Sequence, residues 1–182
     1  ILVYLKKKGI IAPNKPPRPK SFSNEKFVGA YVQDPIKGKH EWVYDLDLTS
    51  MYPSTIMSLN ISPETKLGKL AGWDAEEFIK GEQKTYSFYQ GKEKLRTFST
   101  GELKDFFNKN EVSVASNGVV YKTSQRGIIP AILEKWFNER VEYKGLAKKY
   151  GKQGNDELHG YFDRRQYVQK ILLNSFYGVL GL

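Results

Sequence analysis

Two long helical patterns near the carboxyl end constrain the fold of this chain more than any other feature. The first begins at the run Gly-Ile-Ile-Pro at 127–130, since proline is favoured in a first helical turn, and its apolar residues recur at spacings of three and four. The second runs from about Tyr161 to Leu182, after a stretch at 151–160 whose three glycines predict a turn. Two helices joined by a short turn predict an antiparallel helical hairpin.

Each of these helical patterns carries polar residues that share one face. Arg140 and Lys144 lie four residues apart on the first helix, so they face the same way and repel each other unless an anion lies between them. On the second helix, Lys170, Asn174 and Tyr177 share a face at spacings of four and three. These residues are candidates for binding an anionic ligand. The alternative is an ordinary amphipathic helix on which Lys170 is a solvated charge.

The stretch Val-Tyr-Asp-Leu-Asp-Leu-Thr-Ser-Met-Tyr-Pro-Ser at 43–54 has the alternation of a strand that ends in a turn. Pro53 is expected to stop the strand, because proline has no N–H for the ladder. Asp45 and Asp47 share one face, and a carboxylate beside a hydroxyl and an aromatic ring can hold a hard cation such as magnesium next to a ligand. The alternative is that both aspartates form the polar face of a half-exposed strand.

Composition favours a polyanionic partner and excludes several kinds of site. The 182 residues hold 29 Lys and Arg against 20 Asp and Glu, a net charge of +9, which suits nucleic acid, although a solvated basic surface would look the same. The absence of cysteine excludes disulfides and thiolate metal sites, and two histidines argue against zinc. No apolar run is long enough to span a membrane, so we expect a soluble, cytoplasmic protein with no membrane partner.

The rest of the chain predicts further elements. Residues 1–9 read as a helix that ends in lysines and a glycine, and 14–20 as an extended, proline-rich linker. A helix is predicted at 103–110, and a β-hairpin at 112–121 around an Asn-Gly turn. The aromatic residues of 66–106 predict packing, and we assign them no chemistry.

Two ordered motifs make the chain resemble the B-family DNA polymerases. Asp-x-x-Ser-x-Tyr-Pro-Ser at 47–54 resembles motif A, with Asp47 in its metal-binding position, and Lys-x-x-x-Asn-Ser-x-Tyr-Gly at 170–178 resembles motif B. Between them, Asn-Ile-Ser-Pro-Glu-Thr at 60–65 is closely similar to a run in the polymerases of T4-like phages. The resemblance implies an α+β fold, in which part of a palm with an antiparallel sheet is followed by a fingers hairpin of two antiparallel helices.

For motif A, the resemblance implies nucleotidyl transfer, in which a primer 3′ hydroxyl attacks the α-phosphorus of a deoxynucleoside triphosphate with the help of two Mg²⁺ ions. Asp47 is the expected catalytic residue and metal ligand, and the backbone carbonyl of Leu48 is expected to add a metal-binding oxygen. Backbone amides around Ser50 and Met51 are expected to hold triphosphate oxygens. Tyr52 is expected to be the steric gate, whose ring leaves no room for a ribose 2′ hydroxyl.

For the fingers, the resemblance implies a nucleotide grip that closes over the substrate. Arg140, Lys144 and Lys170 are expected to bind the β- and γ-phosphates, arginine through a bidentate contact and lysine as a point charge. Asn174 is expected to support the triphosphate and the nascent base pair, and Tyr177 to flank the templating position.

Some assignments come with alternatives. Gly29 lies in a segment similar to a template-contacting element of the family, but Phe27 replaces the usual tyrosine, so packing is an equal alternative to DNA contact. Gly178 leaves room for a planar group beside the template. Thr49 and Ser50 could instead be turn-forming hydroxyls alone.

The resemblance divides the chain into a linker from a preceding exonuclease-side region (1–26), a partial palm with motif A (27–128) and fingers with motif B (129–182). Motif C, Asp-Thr-Asp-Ser, occurs nowhere in the sequence. We therefore expect one piece of a polymerase, either a cut fragment or a split-gene product, that is inactive alone. Its expected partners are primer–template DNA, deoxynucleoside triphosphates and a second polymerase chain with motif C and thumb, with an exonuclease domain and a sliding clamp as further partners.

Two other classes of function compete with this one. A non-catalytic DNA-binding or assembly subunit could keep the polymerase fold, although the motif residues are intact. An RNA-synthesising polymerase is disfavoured by Tyr52. Asp45 is expected to be auxiliary or structural, because the family places its second catalytic carboxylate on a separate hairpin.

Overall fold

The computed structural model describes residues 2–11 and 31–180 of the chain. They divide into two units, one ending at Asp47 and one running from Leu48 to Leu180, and each is described by itself. The predicted linker at 14–20, Phe27 and Gly29 lie outside the described residues.

In the first unit, the predicted amino-terminal helix is confirmed and the predicted motif A strand is wrong. Helix α1 spans Leu2–Lys7, and Gly9 follows it with a φ of +66°. Residues 43–48 have no regular secondary structure, and their apolar side chains are exposed, Leu46 by 93 %. A strand must pair its backbone with a neighbour, and none of the described strands pairs with this stretch, so alternation alone does not make it a strand.

The second unit is built on a five-stranded antiparallel sheet. Its strands are β1 (Lys66–Ala71), β2 (Thr85–Gln90), β3 (Glu93–Ser99), β4 (Val112–Val114) and β5 (Val119–Lys122), in the spatial order β3-β2-β1-β5-β4. The predicted hairpin around the Asn-Gly turn is confirmed as the β4–β5 pair. With the helices described below, this sheet confirms the predicted α+β class.

One face of the sheet holds the larger hydrophobic core. Two helices, α3 (Ala75–Lys80) and α4 (Thr100–Lys109), follow β1 and β3 in the chain, and α4 confirms the predicted helix at 103–110. The buried members of this core are Leu70, Tyr86, Phe98, Leu103 and Val120. Tyr86, Leu103 and Val120 are fully buried, so the aromatic-rich stretch without assigned chemistry is a packing module.

The long helical hairpin is confirmed, but its predicted turn is too long. Helix α5 spans Ile128–Lys152 and α6 spans Asp156–Leu180, so only three residues connect them. Gly154, with a φ of +70°, allows the tight connection, and the Asn155 Oδ1 accepts the Leu158 N–H at 3.0 Å to start α6. Gly151, expected in the turn, is part of α5. A Cβ there would lie 3.1 Å from the His159 ring, so glycine allows the two helices to pack closely at this point. None of the described helices combines the length and apolarity needed to cross a membrane.

A second core fixes the short helix α2 (Met51–Ser58) against this hairpin. Its buried members are Ile56 from α2, Leu133 from α5, and Leu173 and Phe176 from α6. The predicted apolar stripe of the first helix packs here, since Ile129, Trp136 and Phe137 border the cluster. The core therefore places α2, whose first turn carries the end of motif A, beside the hairpin that carries motif B.

The amino terminus of α5 is capped by residues from 60–64. Gly127, at the N-cap, has no side chain to accept hydrogen bonds, and three successive backbone amides bond to distant side chains instead. The Gly127, Ile128 and Ile129 amides donate to Asn60 Oδ1 at 2.9 Å, Glu64 Oε1 at 2.6 Å and Ser62 Oγ at 3.4 Å respectively. The start of α5 is thus held by the segment that follows α2.

The Glu64 carboxyl in this cap gives the fold a pH dependence. Partial burial raises the pKa of Glu64, but hydrogen bonds from the Ile128 amide and the Ser62 hydroxyl outweigh burial and lower the pKa below its ordinary value. The ionised carboxylate therefore contributes stability that is present above the unfolded-state pKa and is lost as pH falls through the lower folded-state pKa. The free energy of unfolding should exceed that of Glu64→Gln near neutrality, and this difference should disappear in acid.

Chemical denaturation of both proteins between about pH 7 and pH 3 measures this difference. The glutamine side chain keeps the size of Glu64 and loses only the titratable charge. A difference in unfolding free energy that stays constant across this range would show that the charge of Glu64 is not its source.

Candidate functional site

The first half of the site is the turn that opens α2. Ser50 has left-handed backbone angles, φ 51° and ψ 50°, which few residues other than glycine adopt. Its carbonyl accepts the Ser54 amide at 2.9 Å, and the Ser54 hydroxyl donates to the Thr49 carbonyl at 3.1 Å. Pro53, predicted to stop a strand, instead lies buried in the first turn of α2, where its missing N–H costs no hydrogen bond. Strained backbone of this kind is enriched at functional sites.

The Ser50 side chain faces a cation from the hairpin. It makes no capping bond to its own helix, and its Oγ accepts a hydrogen bond from Arg140 Nη1 at 3.5 Å, across 90 residues of sequence. The Arg140 Nε is buried and has no hydrogen-bond partner among the described residues. The guanidinium charge therefore lies next to a helix amino terminus, and both features attract anionic oxygens.

Three other predicted ligands lie on the hairpin. Lys144 lies one turn beyond Arg140 on α5, and Lys170 and Asn174 lie four residues apart on α6. All three are exposed, and none has a side-chain hydrogen bond or ion pair with a described residue. Their polar groups are therefore available to a ligand, whereas the structure brings only Arg140 into contact with the Ser50 turn.

The remaining predicted site residues are placed as follows. Met51 and Tyr52 lie in the first turn of α2 and are 48 % and 44 % exposed. Gly178 lies near the end of α6, and a Cβ built on it would meet no atom of the described residues within 4 Å. Tyr177 belongs to α6, but its side chain is outside the described part of the structure, as is all of Gly29.

The predicted metal ligands are in exposed backbone without regular secondary structure. Asp47 and Leu48 are both exposed, and so is Asp45, which was expected to be auxiliary or structural. The described residues contain no cluster of three or more acidic, histidine or cysteine side chains that could hold a metal. The Asp47 carboxylate and the Leu48 carbonyl are oxygen donors, which fit part of a magnesium shell, since Mg²⁺ takes one or two carboxylates together with substrate phosphates.

Sequence reasoning gave no role to the cap at 60–64. A signal was present, because Gly127 followed by a helical run leaves amides that need acceptors from elsewhere. Asn60, Ser62 and Glu64 are residue types that accept such bonds, but their distance in sequence from α5 hid the pairing.

Comparison with known proteins indicates the same family as the motifs. A family model described as DNA polymerase family B matches residues 1–182. The chain is 30 % identical over 152 residues to the DNA-directed DNA polymerase of Escherichia phage RB69, covering 79 % of this chain and 14 % of that protein. It is 29 % identical over 181 residues to a DNA polymerase of Archaeoglobus fulgidus, covering 100 % and 17 %. It is 30 % identical over 141 residues to the DNA-directed DNA polymerase of Enterobacteria phage T4, covering 78 % and 13 %.

The chain corresponds to a small part of each relative. The chain spans between 13 % and 17 % of the length of these three relatives. Phage and archaeal polymerases match at nearly the same identity.

Proposed function

The chain belongs to DNA polymerase family B, and from this membership we propose that it forms the nucleotide-selecting part of a DNA-directed DNA polymerase. One observation carries the proposal. Arg140, from the first helix of the hairpin, meets Ser50, from the motif A turn, although the two residues are 90 apart in sequence. The family resemblance predicted that Arg140 binds the triphosphate and that the backbone amides around Ser50 do so as well. Their contact supports a single anion-binding site.

In this proposal, the hairpin and the α2 turn grip the triphosphate from two sides. Arg140 presents its guanidinium beside the Ser50 turn, and Lys144 and Lys170 add positive charges for the β- and γ-phosphates. The backbone amides of Ser50 and Met51 lie at the positive end of the α2 dipole, which favours phosphate oxygens. Closing of the hairpin would exclude water from the bound nucleotide.

The other motif B residues serve the base pair in the same proposal. Asn174 is exposed on α6, where it supports the triphosphate and the nascent pair. Tyr177 flanks the templating base, and Gly178 leaves space beside it for the base to approach. Gly29 is retained as a proposed template contact.

Asp47 and the Leu48 carbonyl would hold Mg²⁺ in this enzyme. When bound, two Mg²⁺ ions stabilise the attacking and leaving oxygens of nucleotidyl transfer. Asp47 supplies one carboxylate, and we propose that the second comes from a motif C in polypeptide outside these 182 residues, since no Asp-Thr-Asp-Ser occurs within them. That polypeptide would also supply the thumb, whether it is the same gene product or a second chain.

The finer assignments of the family are proposals too. We assign residues 27–128 to the palm and 129–182 to the fingers, with 1–26 linking to an exonuclease-side region. The run at 60–65 supports a T4-like phage type, and with it activity in the host cytoplasm beside a sliding clamp. Primer–template DNA and deoxynucleoside triphosphates are the substrates.

Primer extension tests this function. The chain is incubated with primer–template DNA, magnesium and all four deoxynucleotides, first alone and then with a fragment that supplies motif C and the thumb. Extension only in the mixture is the expected result. Extension by the chain alone would contradict the shared metal site. A stable complex that binds DNA but extends nothing would favour a non-catalytic DNA-binding subunit.

The steric-gate role of Tyr52 makes a prediction about sugar selection. Replacing Tyr52 with alanine removes the ring that is proposed to lie under the sugar, so discrimination against ribonucleotides should fall by roughly tenfold to a hundredfold, the range that steric selection in a pocket provides. Competitive incorporation of deoxy- and ribonucleotides by the active mixture measures this ratio. Tyr52→Phe keeps the ring and should keep the discrimination. An unchanged ratio in Tyr52→Ala would remove the residue from this role.

A further inference from the structure

The contact between Arg140 and Ser50 depends on the direction of the α5 axis, which is set at the amino terminus of the helix. The cap at its first turn uses every amide that needs an acceptor, because Pro130, the next residue after Ile129, has no N–H. All three acceptors belong to residues 60–64, since the N-cap residue Gly127 has no side chain that could accept a bond. The direction of α5 is therefore tied to that segment.

Asn60 joins three parts of the second unit at this point. Besides accepting the Gly127 amide, its Nδ2 donates to the carbonyls of Lys122 at 2.6 Å and Gln125 at 2.8 Å. Its own carbonyl accepts the Thr65 hydroxyl at 2.6 Å. Asn60 is 3 % exposed and has a φ of +55°, a left-handed angle that asparagine tolerates better than most residues.

Close packing leaves little freedom at this joint. A Cβ on Gly127 would lie 2.7 Å from Ser62 Cβ, so only glycine lets the two segments approach this closely. Arg126 adds a second tie, because its Nη1 donates to the Met57 carbonyl in α2 at 2.7 Å while its Nε pairs with Glu134 of α5 at 3.1 Å. The end of α2 and the start of α5 are thus joined on more than one side.

The length of α5 converts a small tilt at its start into a large movement at the site. Arg140 lies twelve residues beyond Ile128, which is about 18 Å along a helix that rises about 1.5 Å per residue. A tilt of about 10° would move Arg140 by about 3 Å, as simple trigonometry on that length gives. Such a movement would break its 3.5 Å contact with Ser50.

We propose that Asn60, Ser62 and Glu64 are positioning residues that set the angle of α5 and thereby hold Arg140 over the Ser50 turn. They touch neither Arg140 nor the proposed nucleotide, and act through the helix whose amides they accept. Their effect on nucleotide binding rests on the proposed function, whereas their effect on the helix angle does not.

The first test measures the helix angle directly. The chain has no cysteine, so spin labels can be placed on two introduced cysteines at the exposed positions Ser58, at the end of α2, and Lys148, far along α5. In the full chain, Asn60→Gly keeps the left-handed backbone but deletes the three side-chain bonds. The distance between the labels should shift or broaden by about 3–5 Å, given the lever length of α5.

Two variants make this experiment decisive. Glu64→Ala removes the capping carboxylate at an exposed position, and it should broaden the label distance even if Asn60→Gly fails to fold. Ser99→Ala is the matched control, because Ser99 caps α4 through Glu102 in the same manner, away from α5. It should leave the label distance unchanged. An unchanged distance in folded Asn60→Gly or in Glu64→Ala would show that the hydrophobic core alone sets the angle, and would overturn the proposal.

Nucleotide kinetics separate this proposal from the proposed function. In the active mixture, Asn60→Gly and Glu64→Ala should raise KM for deoxynucleotides about tenfold while kcat changes much less, as expected for lost substrate binding. Ser99→Ala should change neither constant. If the unsubstituted mixture extends no primer, the proposed function fails and the label distances still decide the proposal about the joint. An altered distance with an unchanged KM would overturn the link between the joint and the nucleotide.

Discussion

Replacing Asp47 with alanine should lower primer extension by about a thousandfold in the active mixture, since metal-ion stabilisation of the transition state is worth several kcal/mol. The carboxylate is the one motif A side chain proposed to hold Mg²⁺, and alanine offers no oxygen in its place. Single-turnover incorporation at saturating nucleotide measures the loss in the chemical step. DNA binding by the mixture should be nearly unchanged, because an exposed aspartate contributes little to the fold.

Asp45→Ala is the control for this result. Asp45 is also exposed, carries the same charge and lies two residues earlier, so the variant loses the same amount of negative charge at nearly the same place. It should retain most of the activity. Comparable losses in the two variants would show that Asp45 shares the catalytic role, and nearly full activity in Asp47→Ala would remove Asp47 from it.

Replacing Arg140 with alanine should weaken nucleotide binding by about tenfold to a hundredfold, because a hydrogen bond to a charged group is worth about 1.5–3 kcal/mol. The guanidinium lies against the Ser50 turn at the amino terminus of α2, so it is placed to bind an anion. The KM for deoxynucleotides should rise while kcat falls less. Steady-state single-nucleotide incorporation by the active mixture measures both.

Lys148→Ala separates a direct contact from a general effect of charge. Lys148 lies on the same helix, two turns beyond Arg140, and is exposed. Its loss removes one positive charge of the hairpin without touching the Ser50 turn, so KM should change little. Equal increases in KM for the two variants would show that net charge, rather than the contact of Arg140, attracts the nucleotide.

Much of the fold was predictable wherever neighbouring residues decide the structure. The hairpin of α5 and α6, the helix α4 and the β4–β5 hairpin follow from periodicity and from an Asn-Gly turn, which are local signals. The connection between α5 and α6 was predicted too long because glycine is not always a breaker. Gly151 is helical where the His159 ring packs against it.

The features that the sequence did not predict correctly depend on residues that are distant in sequence. The alternation at 43–48 has the pattern of a strand, but a strand also needs a neighbour, which the sequence pattern does not specify. The cap at 60–64 joins groups more than sixty residues apart, as in the 2.9 Å bond between Gly127 and Asn60. At the candidate site, motif A indicated Ser50 and the resemblance of the fingers helix indicated Arg140, and the structure shows that the two residues are in contact.

Asn60 also closes a loop in the path of the chain. The sheet and its two helices leave from this residue and return to it, since the same side chain binds Lys122, at the end of β5, and Gly127, at the start of α5. The sheet and its two helices therefore form an insertion between α2 and α5, and both ends of this insertion are bound at Asn60. Chain added to or removed from its far turns leaves that meeting point in place. This insertion can change in length and sequence during evolution while Ser50 and Arg140 keep their positions relative to each other.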